Sequence, residues 1–350
     1  MPSPMKIRRT LGVVAAGSAA LLVAACGSSS TGSSSAAGGS TSAGSTKVAV
    51  VIKGLDNPFF QTMKQGIDDQ AKTGGISATV QAANSITDTT GQADKLTGLA
   101  GQDYSCYVVN PISGTNLVQG IAQLAAKKKT IVNIDSPIDA SAAKAAGADV
   151  ATYIGTDNVA AGEMAGKKMS ELLPSGGTVG IIGGIAGDVT SAARIKGFTQ
   201  GIGGNITALP TVAANWDRQE ALTQATNLIQ ANPDIKGFFS ANDDMGLGVA
   251  RAIANANKTG QIKILSVDGS TDALQAIKAG SYDGTVAQYP YAIGLMGVEA
   301  CQAAAAGKTL PSNVKAPVQL ITADNAAQAL SVAPKPAGAY DDPFKALLGG

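Results

Sequence analysis

Along this chain, short runs of β-branched and apolar residues alternate with segments whose apolar positions return every three or four residues. Lys47-Val48-Ala49-Val50-Val51-Ile52 opens the series, and its nearly uncharged character predicts a parallel strand covered on both faces. The period then changes. Met63, Ile67 and Ala71 recur at helical spacing while Lys64, Asp68, Asp69 and Lys72 fill the gaps, which predicts one apolar stripe on a helix. Asn57 stands where a side-chain oxygen caps the first turn and Pro58 where a missing amide costs nothing.

The alternation continues through strands predicted at 76–82, 104–109 and 130–134, with helical stripes at Leu96 and Leu99 and at Leu117, Ile121, Leu124 and Ala125. It restarts near Tyr153-Ile154-Gly155-Thr156-Asp157-Asn158. A second series places strands at 178–182, 206–213, 236–240, 262–267 and 284–287, separated by helices near 158–172, 191–202, 217–231, 244–257 and 271–279. Repeated βα units predict an α/β fold with two similar Rossmann-like lobes built on parallel sheets. A helix at about 293–306 and a strand at 318–321 follow. Beyond Ala323, with Pro334, Pro336 and Gly338, the chain reads as a tail without assigned structure.

The first residues carry a different pattern. Lys6, Arg8 and Arg9 precede an apolar run from Leu11 to Ala25 that is too short to span a bilayer, and the run stops at Cys26. Leu22-Val23-Ala24-Ala25-Cys26-Gly27 has the form of a bacterial lipobox, so 1–26 is expected to be a lipoprotein signal peptide with Cys26 as the lipidated residue. Residues 27–46 are almost wholly Ser, Gly, Ala and Thr, a flexible linker with nothing to bury.

Composition narrows the chemistry. Lys+Arg 26 against Asp+Glu 25 leaves a formal charge of +1, which excludes a strongly basic nucleic-acid surface. The 350 residues contain no histidine, which removes Ser/His/Asp and Cys/His catalysis and every His-ligated metal site. No cofactor is expected. Gly183-Gly184-Ile185-Ala186-Gly187 lacks dinucleotide-binding spacing, and Gly307-Lys308-Thr309 lacks the upstream glycine of a P-loop because Gln302 stands there. Cys106 and Cys301 suit buried small apolar positions, and their pairing stays open.

Ligands of an open α/β sheet bind at the carboxyl ends of its strands. Asp135 and Asp268 each close a buried run and belong to opposite series, so they are expected to face one another across a cleft. Asp157 and Asp243 also follow strands, but are read as helix caps or turns. Arg194, Trp216, Asn242 and Gln288 follow the strands of the second series, as Asn57, Phe59 and Phe60 follow the first strand. Planar polar groups grip neighbouring hydroxyls and aromatic rings cover C–H faces, a combination suited to a neutral polyhydroxylated ligand.

Residues 47 to about 322 resemble the pentose- and hexose-binding proteins of bacterial ABC importers, which have the type I periplasmic binding protein fold. The likeness is carried by Lys53-Gly54-Leu55-Asp56-Asn57-Pro58-Phe59-Phe60, Asn110-Pro111, Thr156-Asp157-Asn158-Val159-Ala160, Gly184-Ile185-Ala186-Gly187 with Ser191-Ala192-Ala193-Arg194, Asn215-Trp216-Asp217-Arg218, Ala241-Asn242-Asp243-Asp244-Met245, Val267-Asp268-Gly269 and Ala287-Gln288. The resemblance implies that Asn57, Asp135, Arg194, Asn242, Asp268 and Gln288 hydrogen-bond a sugar, and that Phe59, Phe60 and Trp216 pack on its ring. Lys53 matches the allose binders, Ser136 replaces the arginine of the ribose binders, and Phe60 stands where the allose binder has tryptophan. A hexopyranose or a sugar alcohol of similar size is therefore expected.

By the same resemblance, three crossovers near Thr156, Gln288 and Pro317 form the hinge. The N-terminal lobe then comprises 47–155 and 289–316, the C-terminal lobe 156–288 and 317–323, and the tail 324–350. The expected protein is a monomeric solute-binding lipoprotein on the outer face of the cytoplasmic membrane, delivering its ligand to an ABC permease, without chemistry on it. Three other readings are weighed: a sugar sensor presenting to a chemoreceptor or sensor kinase, a glycosidase using Asp135 and Asp268, and a repressor core. The last is disfavoured because a signal and linker occupy the place of a DNA-binding headpiece.

Overall fold

The computed structural model describes residues 46–350, so the expected signal, nearly all of the linker and Cys26 lie outside the described residues. The first series folds as β1 (Lys47–Ile52), α1 (Pro58–Thr73), β2 (Ser77–Ala82), α2 (Thr89–Ala100), β3 (Cys106–Val109), α3 (Val118–Ala126), β4 (Thr130–Ile134), α4 (Ala140–Ala146) and β5 (Thr152–Gly155). The second runs α5 (Asn158–Leu172), β6 (Gly177–Gly183), α6 (Val189–Gly201), β7 (Ile206–Ala208), β8 (Val212–Ala213), α7 (Arg218–Ala231), β9 (Gly237–Ser240), α8 (Asp243–Asn255), β10 (Lys263–Asp268), α9 (Thr271–Lys278) and β11 (Gly284–Gln288). Then come α10 (Pro290–Ala305), β12 (Asn313–Lys315), β13 (Val318–Ile321), α11 (Ala326–Val332) and α12 (Pro343–Leu347).

Two sheets result, ordered β12-β5-β4-β3-β1-β2 and β13-β11-β10-β9-β6-β7. The strands read as uninterrupted apolar runs because helices cover both faces: β1 is buried from Val48 onward and β9 throughout. The predicted strand 206–213 is broken into β7 and β8, since Pro210 lies between them and has no amide for the ladder.

The chain passes between the sheets three times: after β5, after β11 and between β12 and β13. These passages explain why β13 alone among the paired strands runs antiparallel to its neighbour. β11 leaves its sheet at the crossing edge and β13 enters at that same edge, so Val318 pairs with Gln288 and the two strands run in opposite directions. β12, which leads toward the crossing just as β5 does, pairs with β5 in parallel, Lys315 against Gly155.

α10 returns to pack on α1, β3, β4 and β5. There Cys301 is disulfide-bonded to Cys106 of β3, with the two Cα atoms 5.8 Å apart, so the cysteines are buried but not separate. The tail also differs from its sequence reading. α11 packs on α9 with Ala326 and Ala329 buried, and α12 packs on α10 with Phe344 fully buried. Pro334, Pro336 and Gly338 mark only the turn between these helices. Among the described residues, no helix is long and apolar enough to cross a membrane.

Candidate functional site

The carboxyl edges of both sheets border one hollow, and all ten residues singled out from the sequence line it. From the first sheet come Lys53 at the end of β1, Asn57, Phe59 and Phe60 at the start of α1, and Asp135 after β4. From the second come Arg194 on α6, Trp216 after β8, Asn242 after β9, Asp268 at the end of β10 and Gln288 at the end of β11.

Local structure fixes how these groups are presented. Asn57 caps α1, its Oδ1 accepting from the Phe59 amide at 2.9 Å, and Asn242 caps α8 by accepting from the Met245 amide at 2.9 Å. Each cap ties the oxygen to a helix and leaves the Nδ2 group as a donor on the hollow. Asp135, Trp216 and Asp268 hold φ values of 59°, 64° and 145°, where L residues are strained by roughly 1–3 kcal/mol each. Such strain gathers where a fold aims a side chain. Trp216 also needs Gly184, because a Cβ there would lie 2.3 Å from the indole ring.

The charges are paired in advance. Lys53 Nζ donates to Ser136 Oγ at 2.8 Å, and Ser136 Oγ donates to Asp135 Oδ2 at 3.3 Å. Arg194, 3% exposed, donates through Nε to Asn158 Oδ1 at 2.8 Å and through Nη1 to the Ala241 carbonyl at 2.7 Å. Its Nη1 also lies 3.4 Å from Asp268 Oδ1, and its guanidinium carbon lies 5.9 Å from the Trp216 ring centroid. Burial raises the Asp135 carboxyl above its ordinary range, opposed by Lys53 and Arg194. Burial likewise pushes Asp268 up to about 7, with Arg194 pulling it down and Asp243 adding to the rise. With both acids ionised, the two carboxylates balance the formal charges of Lys53 and Arg194.

The aromatic residues divide their work. Phe60 is buried in the core while Phe59 is half-buried at the rim, their rings meeting edge to face with centroids 5.1 Å apart. Lys53 lies 5.5 Å from the Phe60 ring centroid, which ties the core ring to the polar grip.

Asp157 caps α5, as read from the sequence. Asp243 is more than a turn residue. Completely buried, it accepts from Ser266 Oγ, from Thr285 Oγ1 at 2.6 Å and from the Ser270 amide at 2.6 Å, bracing the strand end that carries Asp268. Its carboxyl is raised by burial, opposed by those hydrogen bonds. Sequence reasoning passed over Ile86, Ile112, Ile185 and Thr190, which line the hollow too, beside Ser136, read there only as a departure from the ribose binders. All follow strands, the one signal that could have found them.

A cleft between two doubly wound sheets, entered by loops at their carboxyl ends and bounded by three passages of the chain, is a ligand-capture geometry. Residues 48–309 match the periplasmic binding protein domain. The chain belongs to that family. Within it, the D-allose-binding periplasmic protein of Escherichia coli strain K12 is 40% identical over 277 residues, covering 78% of this chain and 89% of that protein. The ribose import binding protein of Bacillus subtilis strain 168 is 30% identical over 275 residues, covering 79% and 87%. Among solved structures, a solute-binding protein of an ABC transporter from Actinobacillus succinogenes 130z with bound D-allose superposes with a TM-score of 0.76 at 26% identity, covering 81% of this chain and 99% of that one. The relatives are substrate-binding proteins and not enzymes, so the glycosidase reading of Asp135 and Asp268 is set aside.

Proposed function

We propose that this periplasmic binding protein captures one neutral monosaccharide of hexopyranose size, or a sugar alcohol, between its lobes and presents it to an ABC permease. The observation that carries the reading is the charge-balanced hollow, in which Lys53, Arg194, Asp135 and Asp268 meet Phe59 and Trp216 from opposite sheets. A charged ligand would need an uncompensated partner there, whereas hydroxyls can donate to the carboxylates and accept from Arg194, Lys53 and the two asparagine amides. Relatives named for allose and ribose support the same class.

In this reading the segments 47–155 with 289–316, and 156–288 with 317–323, close about the three passages. A ligand touching both sides stabilises the closed state through its differential contacts. The lipid on Cys26 and the linker 27–46 would keep the protein beside the permease, outside the cytoplasmic membrane.

A thermal-shift screen over pentoses, hexoses and polyols tests the ligand class, since a ligand at a hundred times its Kd adds about 2.7 kcal/mol to native stability. Titration calorimetry on Trp216→Ala is then expected to show sugar affinity falling by more than about tenfold, while the unliganded melting temperature holds. A protein stabilised by none of these compounds would overturn the proposal. Metabolic labelling with palmitate, lost in Cys26→Ser, tests the anchor.

A further inference from the structure

Thr190 is the second residue of α6, one turn ahead of Arg194 on the same helix face. It lines the hollow, yet among the described residues its Oγ1 has no hydrogen-bond partner and is shielded from solvent. Threonines deeper in helices of this chain satisfy themselves on the carbonyl four residues back, as Thr199 does on Ile195 at 2.9 Å and Thr226 on Leu222 at 2.8 Å. Thr190 makes no such bond, and the cap of its helix is already supplied by Asp188, which accepts from the Ser191 amide at 2.8 Å.

A buried hydroxyl left alone costs about 1–3 kcal/mol. The group is satisfied if a ligand atom completes it. The surroundings say which kind. Ile185, on the loop leading into α6, joins Ile86 and Ile112 as the aliphatic part of the lining, whereas the charged grip is formed by Lys53, Asp135, Arg194 and Asp268. A lining whose aliphatic residues are Ile86, Ile112 and Ile185 and whose unpartnered hydroxyl is that of Thr190 suits a carbon arm that ends in a hydroxyl. A hexopyranose carries such an exocyclic arm and a pentopyranose does not.

We propose that Thr190 is a specificity-determining residue of the cleft. Its Oγ1 hydrogen-bonds the terminal hydroxyl of the ligand's exocyclic arm, whose carbon lies against Ile86, Ile112 and Ile185, and so the protein selects hexoses over the pentoses that share their ring. This rests on the sugar-binding reading above.

The test is calorimetric titration of wild-type protein and Thr190→Val with matched pairs that differ only by the arm: D-allose and D-ribose, D-glucose and D-xylose, D-galactose and L-arabinose. The wild type is expected to favour the hexose of at least one pair. Thr190→Val, nearly isosteric, should weaken that hexose roughly tenfold and leave its pentose within about twofold, with the unliganded melting temperature equal or higher. Equal losses for both members, or none, overturn the assignment, as does a wild type that favours no hexose over its counterpart. A wild type that binds no sugar at all overturns the functional reading instead, and is recognised without the variant.

The C-terminal segment carries an independent inference. α11 rests on α9, beside the second sheet, and α12 rests on α10, beside the first. Between them Lys335 lies 5.6 Å from the ring centroid of Tyr291 on α10, and Ala333, Pro334 and Lys335 wall a neighbouring hollow that is also bordered by Pro58 of α1 and Thr271 of α9. The geometry points to a strap, docked on both lobes across the gap, that limits how far the cleft opens. Lengthening it by a glycine-serine insert between Ala333 and Pro334, ahead of the Lys335 contact, keeps both helices docked while slackening the tie. Small-angle scattering should then show a larger unliganded radius of gyration, an unchanged sugar-bound one and faster sugar association. Deleting 324–350 should act in the same direction if the shortened chain folds. An unliganded radius unchanged by the insert refutes the strap.

Discussion

Gln288 Nε2 donates to Asp268 Oδ1 across 2.6 Å, while Gln288 Oε1 accepts from Thr156 Oγ1 at 2.7 Å. Gln288 stands where β11 leaves the second sheet and Thr156 where β5 leaves the first, so the acid of the cleft is wired to two of the three chain passages.

The protonation of that acid gives a first prediction. Asp268 is pushed up to about 7, chiefly by burial. Ligand hydroxyls that donate to it favour the ionised form and lower its pKa. Binding should therefore release protons, and affinity should rise as pH increases from 6 to 8. Calorimetry in buffers of different ionisation enthalpy measures the release directly, and an affinity flat across this range would remove Asp268 from ligand contact.

Arg194 is placed by a close helix contact. A Cβ on Gly162 of α5 would lie 2.0 Å from the Arg194 carbonyl oxygen, so these helices approach only because residue 162 has no side chain. Gly162→Ala is expected to lower stability by about 1–3 kcal/mol through overpacking and to weaken sugar binding as α6 is displaced. Paired melting and titration curves check both.

Stability should fall as pH rises from about 4.5 to about 8. Glu299, buried on α10 against Asp342, is raised from 4.5 to about 8, first by burial and then by the neighbouring carboxylate, with Lys345 opposing. A raised carboxyl binds more protons folded than unfolded, so its contribution is complete below 4.5 and is lost as pH rises through about 8. Asp268 adds a decline of the same sign that ends near 7. Glu299→Gln should remove the Glu299 part, seen as a smaller drop in melting temperature between pH 7 and pH 9.

The disulfide closes a sequence separation of 195 residues. Cys106→Ala with Cys301→Ala should cost about 2–4 kcal/mol, and a thiol reductant should lower the wild-type melting temperature while leaving the double variant unmoved.

Strands and the acids that end them were legible because a run such as Val48 to Ile52 is buried on both faces, and because an aspartate closing such a run has few structural reasons to be there. Isoleucines in the same positions carry no such mark, since Ile86, Ile112 and Ile185 resemble core residues until the cleft exists. Thr190 was invisible for another reason: its hydroxyl is informative only once its lack of a partner is known. Asp243 was discounted as a turn residue because its donors lie on Ser266, Ser270 and Thr285, brought together only by the sheet. The tail helices were hidden by Pro334, Pro336 and Gly338, whose breaks outweighed a single anchoring residue, Phe344.

The late return of α10 and β12 also sets the schedule on which the halves can be finished. As the chain is made from its amino end, the second sheet is complete but for its edge strand once β11 has emerged. The first still has bare the apolar surface of β3, β4 and β5 that α10 covers. The half that begins earlier in synthesis thus stays unfinished until the strands of the second series up to β11 have emerged, and bonding of Cys301 to Cys106 records the moment α10 docks.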